Sequence, residues 1–337
     1  MKNKFFQKIT VLVSIVLVLS ALFVFGTKAQ AVHPYKDFKP FKFSFITDAN
    51  LSLNWKNDYI LYNLSQIILQ DAINSANKIK DNDFIVFGGD TISNEDGKYS
   101  ELQTFLDLTE TINSPYYLIF GDKEANTKED CTKNDITSEF KRKIFTEENK
   151  TYWKSEPVEN VVLIGLDSSQ TGKTEGYIDK EQLCWLENTL NDNKDKFTVI
   201  LLHHLPKPLS EDLKTPDFKN FSITNDEEFT GLIAKYPQVK LIVNGNRYVN
   251  SVRKINNTLF VSVPSIAVYP NYFDEIEVSA DKVNIVHKKI SYKQIIKLAK
   301  NNLEKSELAK QYNAKKPKEI IKLNEGDEFS NIGSYRF

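Results

Sequence analysis

Three carboxylates and a histidine stand where short apolar runs end. Residues 43–47 run into Asp48, residues 84–87 into Gly88-Gly89-Asp90, residues 116–120 into Gly121-Asp122, and residues 199–202 into His203-His204. If these runs are strands, the polar residues sit at carboxyl ends, where open α/β sheets bind their ligands. An aspartate after a strand is ordinarily the cap of the next helix. Four such positions in one chain point instead to a shared crevice, and three carboxylates with an imidazole are a donor set for a cation.

Bringing those residues together takes several strands with helices between them. Apolar runs at 41–47, 83–87, 116–120, 161–166, 197–202 and 239–243 read as buried strands, and 59–79 and 179–190 carry helical periodicity. This alternation is the signature of an α/β protein. After Arg247 the runs 251–255, 259–263, 273–278 and 283–290 follow too closely for helices and read as an antiparallel meander. From Ser291 lysines alternate with Ile295, Leu298, Ala299 and Leu303 at helical spacing. The tail 291–337 is therefore expected to be one amphipathic helix, ended by Pro317 and followed by loose residues. Glu304 and Glu307 interrupt its positive face, which favours packing against the domain over lying on a membrane.

A chain of 337 residues, 41% hydrophobic and 26% charged, can bury one large core. Its net charge of −1, without a basic stripe before the tail, argues against nucleic acid as a partner. Lys2, Lys4 and Lys8 precede an apolar run at 9–26, and Ala29-Gln30-Ala31 supplies a small-x-small site. Residues 1–31 are thus expected to be an export signal, or a membrane anchor if uncleaved, which places the domain outside the cytoplasm. Cys131 and Cys184 are too far apart for a metal motif, and the helical pattern around Cys184 suggests a buried free thiol.

Five segments carry a family resemblance. Phe45-Ile46-Thr47-Asp48-Ala49-Asn50, Gly89-Asp90, Gly121-Asp122-Lys123-Glu124, His203-His204-Leu205-Pro206 and Gly245-Asn246-Arg247-Tyr248 resemble, in order and spacing, the signature blocks of calcineurin-like metallophosphoesterases across residues 41–290. Gly176-Tyr177-Ile178-Asp179, followed by Glu181-Gln182-Leu183-Cys184-Trp185-Leu186, is similar to the bacterial branch that includes cyclic-nucleotide phosphodiesterases. The resemblance implies a four-layer αββα sandwich of two mixed β-sheets over residues 32–290, with two metal ions that promote hydrolysis of a phosphate ester.

Carried over position by position, Asp48, Asp90 and His203 match the family's ligands. Asn50 stands where the first block has His, Asp122 and Lys123 where the third has Asn then His, and Asn246 and Tyr248 where the last has two His. The first metal then keeps only Asp48 and the bridging Asp90. The second keeps Asp90, Asp122, His203 and the side-chain oxygen of Asn246. The expected cofactor is one divalent ion (Mn, Mg, Fe or Zn), or none.

Lys123 and His204 are the candidates for catalytic roles. An ammonium at position 123 attracts phosphate and offsets the crowded carboxylates, but it is a poor acid at neutral pH. Two readings are open. In the preferred one the fold is a scaffold that binds a phosphate ester or a protein with hydrolysis weak or lost, because four His positions are substituted together. In the alternative, a single metal still hydrolyses an extracytoplasmic phosphate ester. The loops 124–151 and 207–224 are expected to form the cleft rim.

Overall fold

The computed structural model describes residues 33–337 except 55, 95–98, 126–130, 141–143, 146, 148–149, 211, 213–215 and 327–332. The chain divides into two compact units, 1–33 and 34–337. The expected leader falls in the first unit, outside the described residues. All the described strands and helices belong to the second.

Two six-stranded sheets carry the site. In the first, β1 (Phe41–Ile46), β2 (Phe84–Phe87) and β3 (Tyr116–Leu118) run parallel, and β10 (Tyr272–Val278), β11 (Lys282–Lys289) and β12 (Gly333–Arg336) extend the sheet antiparallel from β1. In the second, β5 (Val161–Gly165), β6 (Phe197–Leu201), β7 (Val239–Asn244) and β9 (Thr258–Ser262) are parallel, with β4 (Trp153–Val158) and β8 (Ser251–Ile255) antiparallel at the edges.

Strand alternation builds the layers. Phe197, Val199 and Leu201 of β6 join Phe41, Phe43 and Phe84 in the inner core, while Ile200 and Leu202 point the other way. That outer face is covered by Leu183, Leu186 and Leu190 of α4 (Lys180–Asp192) and by Phe229, Leu232 and Ile233 of α5 (Asp226–Ile233). The first sheet is covered by Ile68, Leu69, Ala72 and Ile73 of α1 (Ser65–Ala76) and by Leu102, Phe105 and Leu108 of α2 (Tyr99–Thr109). Each such apolar side chain taken fully out of water contributes roughly 1.5–3 kcal/mol. The result is the four-layer sandwich expected from the resemblance.

Several elements differ from the sequence expectations. The strands after Arg247 do not form one meander: β8 and β9 belong to the second sheet, where β9 pairs in parallel with β7, and β10 and β11 belong to the first. The helix expected at 59–79 is shorter, because 62–64 form a 3₁₀ turn before α1. The helices α2, α3 (Lys133–Phe140) and α5 and the edge strand β4 were not anticipated.

The tail is three helices, not one: α6 (Lys293–Lys305), α7 (Glu307–Tyr312) and α8 (Glu319–Glu325). Ser306 is extended, and its side chain accepts from the Ala309 amide at 3.1 Å, which ends α6 and caps α7. The last residues are not loose but form β12 on the sheet edge. Cys131 is buried and Cys184 exposed, both as free thiols. Cys184 misses the core because Leu183, Leu186 and Leu190 define the buried face of α4.

Candidate metal centre

Parallel register brings the loops together. Phe45 lies opposite Val86, so β1 and β2 end at the same level, and the Asp48 amide donates to the Gly89 carbonyl at 3.0 Å and the Asn50 amide to the Asp90 carbonyl at 2.8 Å. In the second sheet Leu201 lies opposite Val243, and the Gly245 amide donates to the His203 carbonyl at 3.1 Å. At these strand ends Asp48, Asn50, Asp90, Asn246 and Tyr248 all have φ between 47° and 65°. Asp and Asn tolerate the left-handed region, whereas Tyr248 there is strained and must be held by its surroundings.

The two sheets meet at His203. Its Nδ1–H donates to the Gly88 carbonyl across the gap at 2.8 Å. This fixes the tautomer and turns Nε2 toward Asp90 Oδ1 at 3.5 Å, Asp122 Oδ1 at 3.8 Å and Asp48 Oδ1 at 3.9 Å. Gly89 allows this approach, since a Cβ there would meet the ring Nδ1 at 2.5 Å. His203 Nε2 and Asp48 Oδ1 are buried without a hydrogen-bond partner among the described residues. Orphaned polar atoms of this kind are costly unless something binds them.

A divalent cation fits that description. Asp48, Asp90 and His203 each offer a ligand atom within 4.8 Å of one another. Around an ion with bonds of about 2.2 Å, donors lie about 3–3.6 Å apart, so a small contraction of the observed spacing would close the shell. The charges of the metal-free cluster follow the same geometry. Burial would lower the His203 imidazole, but Asp90 and Asp48 hold it well above 6.5. Burial pushes Asp48 up to about 7 against the pull of His203. Asp90, despite its burial, is held below its ordinary value by His203 and Lys123.

The remaining expected site residues take other places. Asn246 reaches the cluster through its backbone, which donates to Asp48 Oδ2 at 3.0 Å, while its side-chain amide donates to the Phe221 carbonyl at 3.2 Å. Lys123 likewise donates its backbone N–H to Asp90 Oδ1 at 3.0 Å, and its side chain lines the adjoining cleft. The imidazole nearest the carboxylates is His203, so the compensating charge expected of Lys123 is shared with it. His204 engages both ring nitrogens, Nδ1 with Ser168 Oγ at 2.9 Å and Nε2 with the Thr174 carbonyl at 3.0 Å. Burial and His203 lower it to about 4, so it stays neutral and fastens the 168–174 loop to β6.

Where the resemblance implies a first metal, the Asn50 side-chain amide donates to the Asp48 carbonyl at 3.0 Å, and its Oδ1 has no hydrogen-bond partner among the described residues. Tyr248 is buried among Tyr59, Phe221 and the tail residues Leu303 and Leu308.

Sequence reasoning missed Glu124, which ends the third motif without an assigned role. Its buried carboxylate accepts from the amides of Asp90 (2.9 Å), Thr91 (2.7 Å), Ile92 (3.2 Å) and Gly121 (2.8 Å). It thereby ties the loop after β2 to the loop after β3. A second charged residue, two positions after the Gly121-Asp122 turn, is the signal that could have found it. Thr47 was also missed: its hydroxyl donates to Asp48 Oδ2 at 2.7 Å.

A sequence model of calcineurin-like phosphoesterases matches residues 43–245, more than half of the chain. The chain belongs to this family. Among its calcineurin-like phosphoesterase relatives, a probable glycerophosphodiester phosphodiesterase of Arcobacter nitrofigilis is 26% identical over 217 residues, 64% of this chain and 72% of that protein. A 3′,5′-cyclic adenosine monophosphate phosphodiesterase of Pseudomonas aeruginosa is 27% identical over 120 residues, 34% of this chain and 43% of that one. A dimetal phosphatase from Danio rerio superposes with a TM-score of 0.63 at 14% identity, over 74% of this chain and 97% of that one, and shares the phosphoesterase fold.

Proposed function

We propose that this calcineurin-like phosphoesterase binds one divalent cation at Asp48, Asp90, Asp122 and His203, and beside it a phosphate ester in the cleft, with hydrolysis weak or lost. The observation that carries the reading is the pair of buried ligand atoms, His203 Nε2 and Asp48 Oδ1, that lie 3.9 Å apart with no hydrogen-bond partner among the described residues. Carboxylate oxygens with a single imidazole suit Mn²⁺ or Mg²⁺. When bound, such an ion supplies Lewis acidity toward a phosphoryl oxygen. Lys123 adds positive charge for the ester oxygens from the cleft wall.

Neither His204 nor the wall tyrosines are suited to give a leaving oxygen its proton. His204 is neutral with both nitrogens engaged. Burial raises the Tyr59 hydroxyl to about 12 and pushes Tyr248 well above its ordinary value too. The intact cluster and the names of the relatives support a second reading, a slow single-metal phosphodiesterase. Titration of the full chain with inorganic phosphate, with and without Mn²⁺, tests the first claim, and p-nitrophenyl esters test the second. Phosphate binding that requires Mn²⁺ is expected, with ester turnover at least about a hundredfold below a two-metal relative. Phosphate binding indifferent to Mn²⁺ would sink the reading.

The same proposal places the domain outside the cytoplasm, supported by the lysines at 2, 4 and 8, the apolar run and the small-residue site. Residues 1–35 fused to a reporter active only after export should give signal. A soluble, unprocessed and inactive fusion would contradict it.

A further inference from the structure

The cleft beside the carboxylates is about 270 Å³, smaller than the roughly 300–1,000 Å³ of pockets for drug-sized ligands. Asp90, Asp122 and Lys123 line one part of it, and Tyr59, Phe221 and Tyr248 give it an aromatic wall. Two further wall residues, Leu308 and Gln311, come from α7. This helix lies beyond residues 43–245, so the wall it forms is no part of the matched family region.

The helix is fixed rather than appended. Leu308 and Ala309 are buried with Leu303, Ile320 and Ile321 of the tail against Tyr248 and Phe218. Tyr312 stacks on Phe218 with centroids 6.0 Å apart and planes 6° from parallel. The Asn302 amide of α6 donates to the carbonyl of Asp58, itself a cleft residue, at 2.7 Å.

We infer that α7 sets the substrate size: Leu308 and Gln311 determine specificity by closing the cleft to esters larger than a phosphate carrying one small apolar or aromatic group. The inference rests on the phosphate-ester reading above. A wall of aromatic rings and Leu308 stabilises a flat apolar substituent by burial and stacking, and a fixed wall rejects a second ring by overlap.

The test titrates the Mn²⁺-loaded full chain with inorganic phosphate, phenylphosphonate and biphenylphosphonate, whose C–P bonds are not cleaved by phosphoester hydrolysis. Leu308→Ala and Gln311→Ala are expected to bind phosphate within about twofold of the parent and to raise the biphenyl-to-phenyl affinity ratio at least about fivefold. Gln311 is exposed, so its variant carries the test if Leu308→Ala unfolds. Phosphate binding with an unchanged biphenyl-to-phenyl ratio in Gln311→Ala would overturn this inference alone. A parent that binds no phosphate with Mn²⁺ would overturn the phosphate-ester reading, and the inference with it.

Discussion

Asp90→Asn is expected to weaken Mn²⁺ binding by about a hundredfold or more, since even a neighbour of a metal ligand commonly costs 10–100-fold. Asp90 Oδ1 lies 3.5 Å from His203 Nε2 and accepts the Lys123 amide. Asparagine keeps an oxygen for that amide and tolerates the φ of 49° at this position, so the variant should fold. It removes the charge that the ion needs. Calorimetric titration of both proteins checks it, and equal affinities would place the ion elsewhere.

The pH dependence of the parent has a definite sign. Asp48, pushed up to about 7 by burial, and His203, held well above 6.5 by Asp90 and Asp48, carry protons below neutrality that a cation must displace. Mn²⁺ affinity should therefore fall as pH drops through about 7, by up to about tenfold per pH unit for each proton displaced. Asp90, held low, remains ionised throughout.

Glu124→Gln should be the most destabilising single-atom exchange near the site. Each carboxylate oxygen of Glu124 accepts two backbone amides, so an NH₂ in place of either oxygen leaves two buried N–H groups facing donors. At about 1–3 kcal/mol for each unsatisfied group, the loss is about 2–6 kcal/mol, readable by denaturant unfolding. Burial, with Asp90 beside it, raises Glu124 to about 7, above its ordinary 4.5. A raised carboxyl contributes stability that is fully present below about pH 4.5 and lost as pH rises through about 7. In EDTA the gap between parent and Gln variant should thus widen from pH 7 toward pH 4.5. A variant as stable as the parent would show that the four amides do not depend on this carboxylate, and a gap that narrows would show that they hold it ionised instead of leaving it raised.

The legible part of the site came from local pattern. Asp48, Asp90, Asp122 and His203 were visible because each ends an apolar run, and parallel pairing brings such ends together. Pairing partners were not visible. Periodicity marks 251–255, 259–263, 273–278 and 283–290 as strands but does not say which sheet each joins, and that produced the single meander. The tail failed for a similar reason: the lysine-apolar alternation continues across Ser306, where one capping hydroxyl breaks it into two helices. The family resemblance marks position 248 as one where an imidazole is expected, but the burial of Tyr248 against Leu303 and Leu308 comes from residues more than fifty positions away. Glu124 was overlooked because its partners are backbone amides, so its charge after the Gly121-Asp122 turn drew attention without disclosing a role.

The central claim is one cation held by His203 Nε2 among three carboxylates. Crystals of the full chain soaked in Mn²⁺ and measured at the manganese absorption edge test it most directly. The account predicts one anomalous peak per chain, bonded to His203 Nε2 and Asp90 at about 2.2 Å. No peak there, or two peaks of equal height bridged by Asp90, would contradict it.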